Sequence, residues 1–507
     1  MNDSQQNQPE NNQSLYAAID LGSNSFHMII AREVHGQMQV IDKHKEMVRL
    51  RAGLDKSGKL SEKAFSEGIA CLERFGERIK EIPKQNVRAV GTNTLRNAKN
   101  SRDFLNQARQ ALGHNIQIIA GREEARLIYL GVAHGLPNND DQRLVMDIGG
   151  GSTEYIIGCQ FNDSHLTSTE MGCVSITQNY FPKGKITAER MEQAISQCRL
   201  ILRPHQNKLK SLGWDNAIGA SGSIKSIGQI LELNEWSESG ITLDGMNKLK
   251  EALIEAGSAD ELKLEGLKDE RRPVLVGGLA ILIATFIELK IERMAVSNNA
   301  LREGLVFDTL GRLYSEDVRE TSVQAMQKWM KVDLQQAEAI AKTANTLYKQ
   351  AHNVWELHSS DYDFKRLLKW ACMLHECGIA ISYKRYRHHS AYLIRQADMA
   401  GFDQQEQLLL SMMLLNHRGK FQTEVFGELD KSLAKKMLFL TVVLRLAVRI
   451  HRGRDSGLPD PVLVIKETNR LELEFDDHWL EEHPLTRMDL EVEVKRLEAA
   501  GFTLTIS

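Results

Sequence analysis

The chain has 507 residues, of which 42% are hydrophobic and 26% charged, with a formal net charge of −3. That length suits roughly three or four domains of ordinary globular composition, and the charge gives no reason to expect a nucleic-acid partner. Six cysteines (Cys71, Cys159, Cys173, Cys198, Cys372, Cys377) are scattered without a CxxC or a disulfide-like spacing, which suggests free thiols in a reducing cytosol.

Residues 1–14, MNDSQQNQPENNQS, are polar, lack the basic start and apolar core of a signal peptide, and read as a disordered lead. Leu15–Ile30, LYAAIDLGSNSFHMII, reads as strand, turn and strand. Val40–Val48 continues strand-like, Ser61–Ile82 has helical apolar spacing, and Val87–Gly91 is a short strand followed by Thr92-Asn93-Thr94 and Arg96. Ile116–Ala120 is another strand, and the helix Glu123–Leu136 opens on two carboxylates. A first lobe is therefore expected over 15–126. A second, over 127–313, holds the hairpin Arg143–Gly158, the helix Ala188–Leu209, the strand Asn216–Gly219, a strand Met294–Ser297 and a helix Ala300–Leu313. Within it Val274–Ile287 is the longest apolar run; broken by Gly277 and Gly278 and too short to span a bilayer, it reads as a buried helix. Long helices are expected over 314–456, and the tail 457–507 returns to strands around a helix, a small α+β cap. The expected fold class is α/β, two similar lobes followed by an all-α domain and that cap.

The chemistry centres on two copies of one pattern. In RLVMDIGGGSTEYIIG, Asp147 closes a strand, and Gly149, Gly150 and Gly151 let the backbone turn sharply and approach an anion, while Ser152 and Thr153 add hydroxyls. The earlier copy places Asp20 before Gly22, Ser23, Asn24 and Ser25. Each alone is also an ordinary hairpin turn. Repeated, with Asp at the same place, they suggest two lobes each offering a phosphate loop to a shared cleft. Asp147 and Glu154 are the expected Mg²⁺ ligands, with Asp20 reaching the ion through water, since Mg²⁺ takes a few carboxylates, phosphate oxygens and waters. Arg96 has the planar fork that suits non-bridging phosphate oxygens.

These loops, with GTNTLRNA (Gly91–Ala98), GREEARLIY (Gly121–Tyr129), MGCVSI (Met171–Ile176), GASGSIK (Gly219–Lys225) and NNALREGL (Asn298–Leu305), resemble the exopolyphosphatase and guanosine pentaphosphatase family. Its wider superfamily holds actin and hexokinase, so the resemblance implies two actin-like (ribonuclease H-like) lobes. It assigns the catalytic base to Glu124. On the sequence alone, Glu123 and Glu124 are better explained as acidic residues at a helix N-terminus, and the two phosphate loops in the same chain turn the balance to Glu124. The resemblance further implies a homodimer, with a monovalent cation as an open question; the cysteines and the polar start lead to the expectation of a cytoplasmic protein, with peripheral membrane contact left open.

The helical block resembles the HD-domain metal phosphohydrolases, but its His-Asp pair reads His375-Glu376 and no first histidine stands upstream, so a degenerate relative is expected. Lys384, Arg385, Arg387, His388 and His389 form a cationic run. Lys435 and Lys436 begin a basic helix continued by Arg445, Arg449, His451, Arg452 and Arg454. A long polyanion rewards such a path, while a solvated surface explains it equally. Cys173 has no local histidine and reads as core, and Gly219–Ser223 as a tight turn where superfamily relatives hold adenosine. The reading is a Mg²⁺-dependent exopolyphosphatase removing terminal orthophosphate processively from polyphosphate. DIGGGSTE, GTNTLR, Arg387–Ile394 and Leu415–Lys420 look more like the polyphosphatase members. The rival is guanosine pentaphosphate 5′-phosphohydrolase; a sugar or acetate kinase and a non-catalytic polyphosphate or alarmone sensor stand further off.

Overall fold

The computed structural model describes residues 14–34, 37–55, 57–137, 139–313, 317–359, 361–454, 461–476 and 479–507. The expected lead, up to residue 13, lies outside them. The strands β1 (Leu15–Leu21), β2 (Phe26–Val34), β3 (Gln37–Glu46), β4 (Val87–Gly91) and β5 (Ile116–Ile118) form one sheet in the order β3-β2-β1-β4-β5. A second sheet is built from β6 (Gln142–Ile148), β7 (Thr153–Cys159), β8 (Asn162–Thr169), β9 (Asn216–Gly219), β10 (Ile241–Thr242) and β11 (Arg293–Val296), in the order β10-β11-β9-β6-β7-β8. Taken from its far end, β8-β7-β6-β9-β11 repeats β3-β2-β1-β4-β5. In both, the first three strands are antiparallel and the next two add in parallel. The repeat extends to register: Asp20 pairs with His27 as Asp147 pairs with Glu154.

Alternation along the strands divides two cores, because successive side chains face opposite sides of a sheet. Ala17, Ile19 and Leu21 face the outer helices of the first sheet, and Leu144, Met146 and Ile148 those of the second. Tyr16, Ala18, Ile29 and Ala31 share a central core with Val145, Ile156 and Ile218. Two helices lie in that core, Gly121–Ala133 and Leu301–Leu313, and they cross backbone to backbone: a Cβ on Gly304 would stand 1.8 Å from the Leu127 carbonyl oxygen. The helix Arg272–Leu289 is apolar and long enough to span a membrane, but it is buried in the core of the second sheet.

The lobe boundary expected at 126/127 falls inside the continuous helix Gly121–Ala133. The helix Leu301–Leu313, expected with the second lobe, packs against β1, β2 and β4 of the first sheet. The chain divides into two compact units, 1–316 and 317–507. In the second, the helices Leu334–Ala351, Phe364–Leu374, Gln404–Asn416 and Lys431–Ile450 surround one core. The tail strands β12 (Val462–Glu467), β13 (Arg470–Glu474) and β14 (Thr503–Ile506) contribute Leu463, Leu471, Leu473 and Leu504 to that same core. The tail is thus continuous with the helices rather than a separate cap.

The basic helix is also not the cationic surface its sequence suggests. Arg445 is fully buried, and both it and Arg449 donate to Glu493, at 2.5 and 2.8 Å. Arg452 pairs with Asp489, Arg454 with Glu376 and Asp333, and His451 Nε2 bonds the Thr343 hydroxyl. Lys436 donates to the His358 carbonyl, and Lys435 lies over the Phe439 ring. Arg445 and Arg449 are thus spent inside the core, Arg452 and Arg454 are paired at the surface, and Lys435 stays exposed. Lys384, Arg385 and His388 are exposed, with Arg387 and His389 half-buried beside them.

Candidate active site

The hairpin turns β1–β2 and β6–β7 meet. A Cβ on Gly150 would fall 2.8 Å from that of Ser23, so this position must stay bare for the two loops to touch. Each loop is braced from behind through its carbonyls. Asn24 and Ser23 accept from the amides of Arg49 and Arg51, both at 2.8 Å, and Gly149 and Gly150 accept from the first amides of the helix Cys173–Tyr180 at 2.9 and 3.1 Å. With carbonyls tied back, the loops present hydroxyls and donors forward.

In front of them lies a cleft of about 320 Å³. Three carboxylates line it, Asp20, Glu124 and Asp147, with five cations, Lys43, Lys45, Lys225, Arg271 and Arg302. Gly22, Ser23, Asn24, Ser25, Gly149, Gly150 and Ser152 line it as expected from the sequence. No Phe, Tyr or Trp does so among the described residues. Lys225 and Arg302 went unnoticed in the sequence because each stands alone. Lys225 opens the helix Gly222–Leu233 after a glycine turn, and Arg302 opens Leu301–Leu313.

Four expected residues sit elsewhere. The Thr153 hydroxyl donates to the Met171 carbonyl at 2.6 Å and is fully buried, and Gly151 packs against the Asn93 side chain. Glu154, in β7, does not line the cleft; it accepts from Ser168 at 2.8 Å, and burial first, then the charges of Glu124 and Asp147, hold its carboxyl well above its ordinary value. Arg96 does not line the cleft either. Its guanidinium donates to the Ile119 carbonyl at 2.6 Å and to Glu124 Oε2 at 3.1 Å. Through that one nitrogen, Nη1, it orients the carboxylate. Cys173 is buried at the cleft floor, and desolvation pushes its thiol up, away from nucleophilic chemistry.

Burial raises the carboxyls in the cleft. Asp20 rises to about 7 and Asp147 to about 8, by desolvation first and then by the charge of Glu124. Glu124 is raised by desolvation, with Arg96 pulling it back. A carboxylate so raised is a stronger base than one in water. Asp20 Oδ1 is buried without a hydrogen-bond partner. An orphaned carboxylate oxygen beside a second strained carboxylate, all oxygen donors, fits a hard cation such as Mg²⁺. Among the described residues no three acidic, His or Cys side chains close a ligand set, so phosphate oxygens and waters would have to complete it.

Residues 29–313 match the Ppx/GppA phosphatase family, and residues 318–494 match Ppx/GppA phosphatase, domain III. The chain belongs to the Ppx/GppA phosphatase family. It is a hydrolase acting on phosphoanhydrides. It is 38% identical over 491 residues to the guanosine-5′-triphosphate,3′-diphosphate pyrophosphatase of Aeromonas hydrophila subsp. hydrophila, across 97% of this chain and 98% of that one. Among solved structures, the PPX-GPPA enzyme of Aquifex aeolicus matches 58% of this chain and 99% of its own, at 26% identity and a TM-score of 0.50. An exopolyphosphatase from Cytophaga hutchinsonii shares the fold over 59% of this chain and 98% of its own, at 23% identity and a TM-score of 0.54.

Proposed function

We propose that this family member is a guanosine pentaphosphate 5′-phosphohydrolase, releasing orthophosphate to leave guanosine tetraphosphate. The observation that carries the reading is the likeness to the Aeromonas pyrophosphatase along 97% of the chain, the second unit included. It favours the nucleotide over the motif-based preference for polyphosphate. In this reading Glu124, oriented by Arg96, takes a proton from the attacking water. Ser23, Ser25 and Ser152 donate to the terminal phosphoryl oxygens, and Lys225 and Arg302 offset the charge that builds on the transferring group. Asp20 and Asp147 would hold Mg²⁺, which when bound would neutralise phosphate oxygens.

A second reading, exopolyphosphatase, is supported by the cleft lining itself. A cleft whose described lining holds no Phe, Tyr or Trp takes hold of phosphates and offers a base no large aromatic face. Phosphate release from guanosine pentaphosphate and from long-chain polyphosphate, compared with Mg²⁺ present, separates the two. Faster release from the nucleotide is expected. Faster release from polyphosphate, without intermediate lengths accumulating, would make the second reading correct, and no release from either would end both.

A further inference from the structure

We propose that His27 and Arg302 are positioning residues that fix the Ser25 hydroxyl as a one-way hydrogen-bond donor to a phosphoryl oxygen of the substrate. The inference rests on the cleft being the phosphoryl site. Arg302 Nη1 lies 3.1 Å from His27 Nδ1, and His27 Nε2 lies 2.7 Å from Ser25 Oγ. A guanidinium nitrogen can only donate, so Nδ1 must be the unprotonated, accepting nitrogen of the ring. The ring proton then sits on Nε2 and is donated to Ser25 Oγ. With an oxygen lone pair so engaged, the hydroxyl hydrogen must find another acceptor, and none is recorded among the described residues. Ser25 lines the cleft, so that hydrogen is left for an oxygen arriving there.

Two further observations agree. Ser23, the other hydroxyl of this loop, also accepts, here from the Thr94 hydroxyl at 2.7 Å, and is left to donate in the same way. His27 itself is held neutral, well below its ordinary value, by burial first and then by Arg302, Lys45, Arg271 and Lys225. A charged ring would carry a proton on both nitrogens and would break the bond from Arg302. The relay begins at Arg302 in the helix Leu301–Leu313 and ends in the β1–β2 turn. It thereby couples a cleft cation to a loop hydroxyl from a segment more than 270 residues away, the His27–Arg302 separation being 275. The oxygen it selects is one that can only accept, such as an ionised phosphoryl oxygen.

The test is a double-mutant cycle between His27 and Ser25, read by turnover and by calorimetric binding of orthovanadate, an oxyanion in the shape of the transferring group. Ser25→Ala and His27→Leu are each expected to lower kcat roughly 10- to 100-fold with KM within about threefold. The double variant should be no worse than the poorer single one, because the ring acts through the hydroxyl. His27→Gln, whose amide can accept from Arg302 and donate to Ser25, should recover most of the loss. Losses that multiply, or a Gln variant as poor as Leu, would overturn the relay and leave His27 as packing. Should His27→Leu fail to fold, the His27→Gln loss must vanish in the Ser25→Ala background, and its persistence would be equally decisive. The vanadate cycle keeps the two ideas apart. A wild-type chain that hydrolyses neither substrate sinks the proposed function, while non-additive vanadate affinities would still uphold the relay and additive ones would end it.

Discussion

Glu123 and Glu124 are adjacent on one buried helix turn, yet they meet opposite surroundings. Glu123 accepts from Arg126 at 2.8 and 2.9 Å and stands 3.7 Å from Arg88, within a network closed by Asp308 and Arg312. There, burial alone would raise the Asp308 carboxyl, but Arg126, Arg88 and Arg312 outweigh it and hold it well below its ordinary value. Glu124 turns to the other side, where Arg96 is its recorded cationic partner and Asp20, Asp147 and Glu154 crowd the same space. One cluster has nearly balanced charge and binds two central helices together. The other crowds carboxyls around Glu124, which carry mutual repulsion that a metal cation can relieve. Burial is common to both, so the balance of partners, not burial, separates structural charge from reactive charge.

The comparison breaks most sharply at Glu124 itself. Glu124→Gln is expected to lower kcat by roughly 10²- to 10⁴-fold while leaving the unfolding midpoint in urea unchanged or raised, because a strained buried charge is removed. Asp308→Asn should do the reverse. It takes from Arg88, Arg126 and Arg312 the carboxylate they share, at a cost on the order of 3–5 kcal/mol of stability, with kcat of the folded fraction within about threefold.

The two clusters should also differ in pH dependence. Asp20 and Asp147 are raised from 3.8 to about 7 and about 8, so the metal-free folded chain keeps protons that the unfolded chain releases. Their contribution to stability is complete below about pH 4 and is lost as pH rises toward 8. Urea midpoints taken across that range should fall with pH, and either Mg²⁺ or Asp147→Asn should flatten the slope. Asp308, shifted downward, contributes stability that is present above its ordinary range and lost on acidification, so Asp308→Asn should remove part of the acid limb. The smallest effect is expected at the half-exposed pair Lys45–Glu270, 2.5 Å apart. Glu270→Ala should change stability by less than about 1 kcal/mol.

Much of this was legible in the sequence because it was local. The paired Asp-Gly-Ser turns mark both hairpins, strands such as Val87–Gly91 and Asn216–Gly219 fall where the pattern puts them, and the apolar run Val274–Ile287 lies in a buried helix. Hairpin chemistry and hydrophobic period depend on neighbours in the chain, so one sequence suffices to read them. The helices Ser101–Leu112 and Leu243–Ala256 and the strand β8 went unread, being short amphipathic segments whose apolar faces are defined by what they cover.

The site was legible in part. Asp20, Ser23, Ser25, Glu124, Asp147 and Ser152 line the cleft, but Arg96, Gly151, Thr153 and Glu154 do not. Thr153 and Glu154 begin a strand, where alternation and a cross-strand serine turn them inward, and nothing in the one-letter pattern separates them from Ser152.

The sequence by itself determined the two loops, the family and the residue type at each loop position, because turn geometry and anion-binding chemistry are written over a few consecutive residues. The tertiary structure alone decided which charges are spent and which are free. Arg445 and Arg449 answer Glu493, more than 40 residues on, the separations being 48 and 44. Arg302 reaches His27 and Lys225 enters the cleft through the packing of distant helices. An ionisable side chain takes its state from the charges and solvent around it, and in a folded chain those neighbours come from anywhere in the sequence.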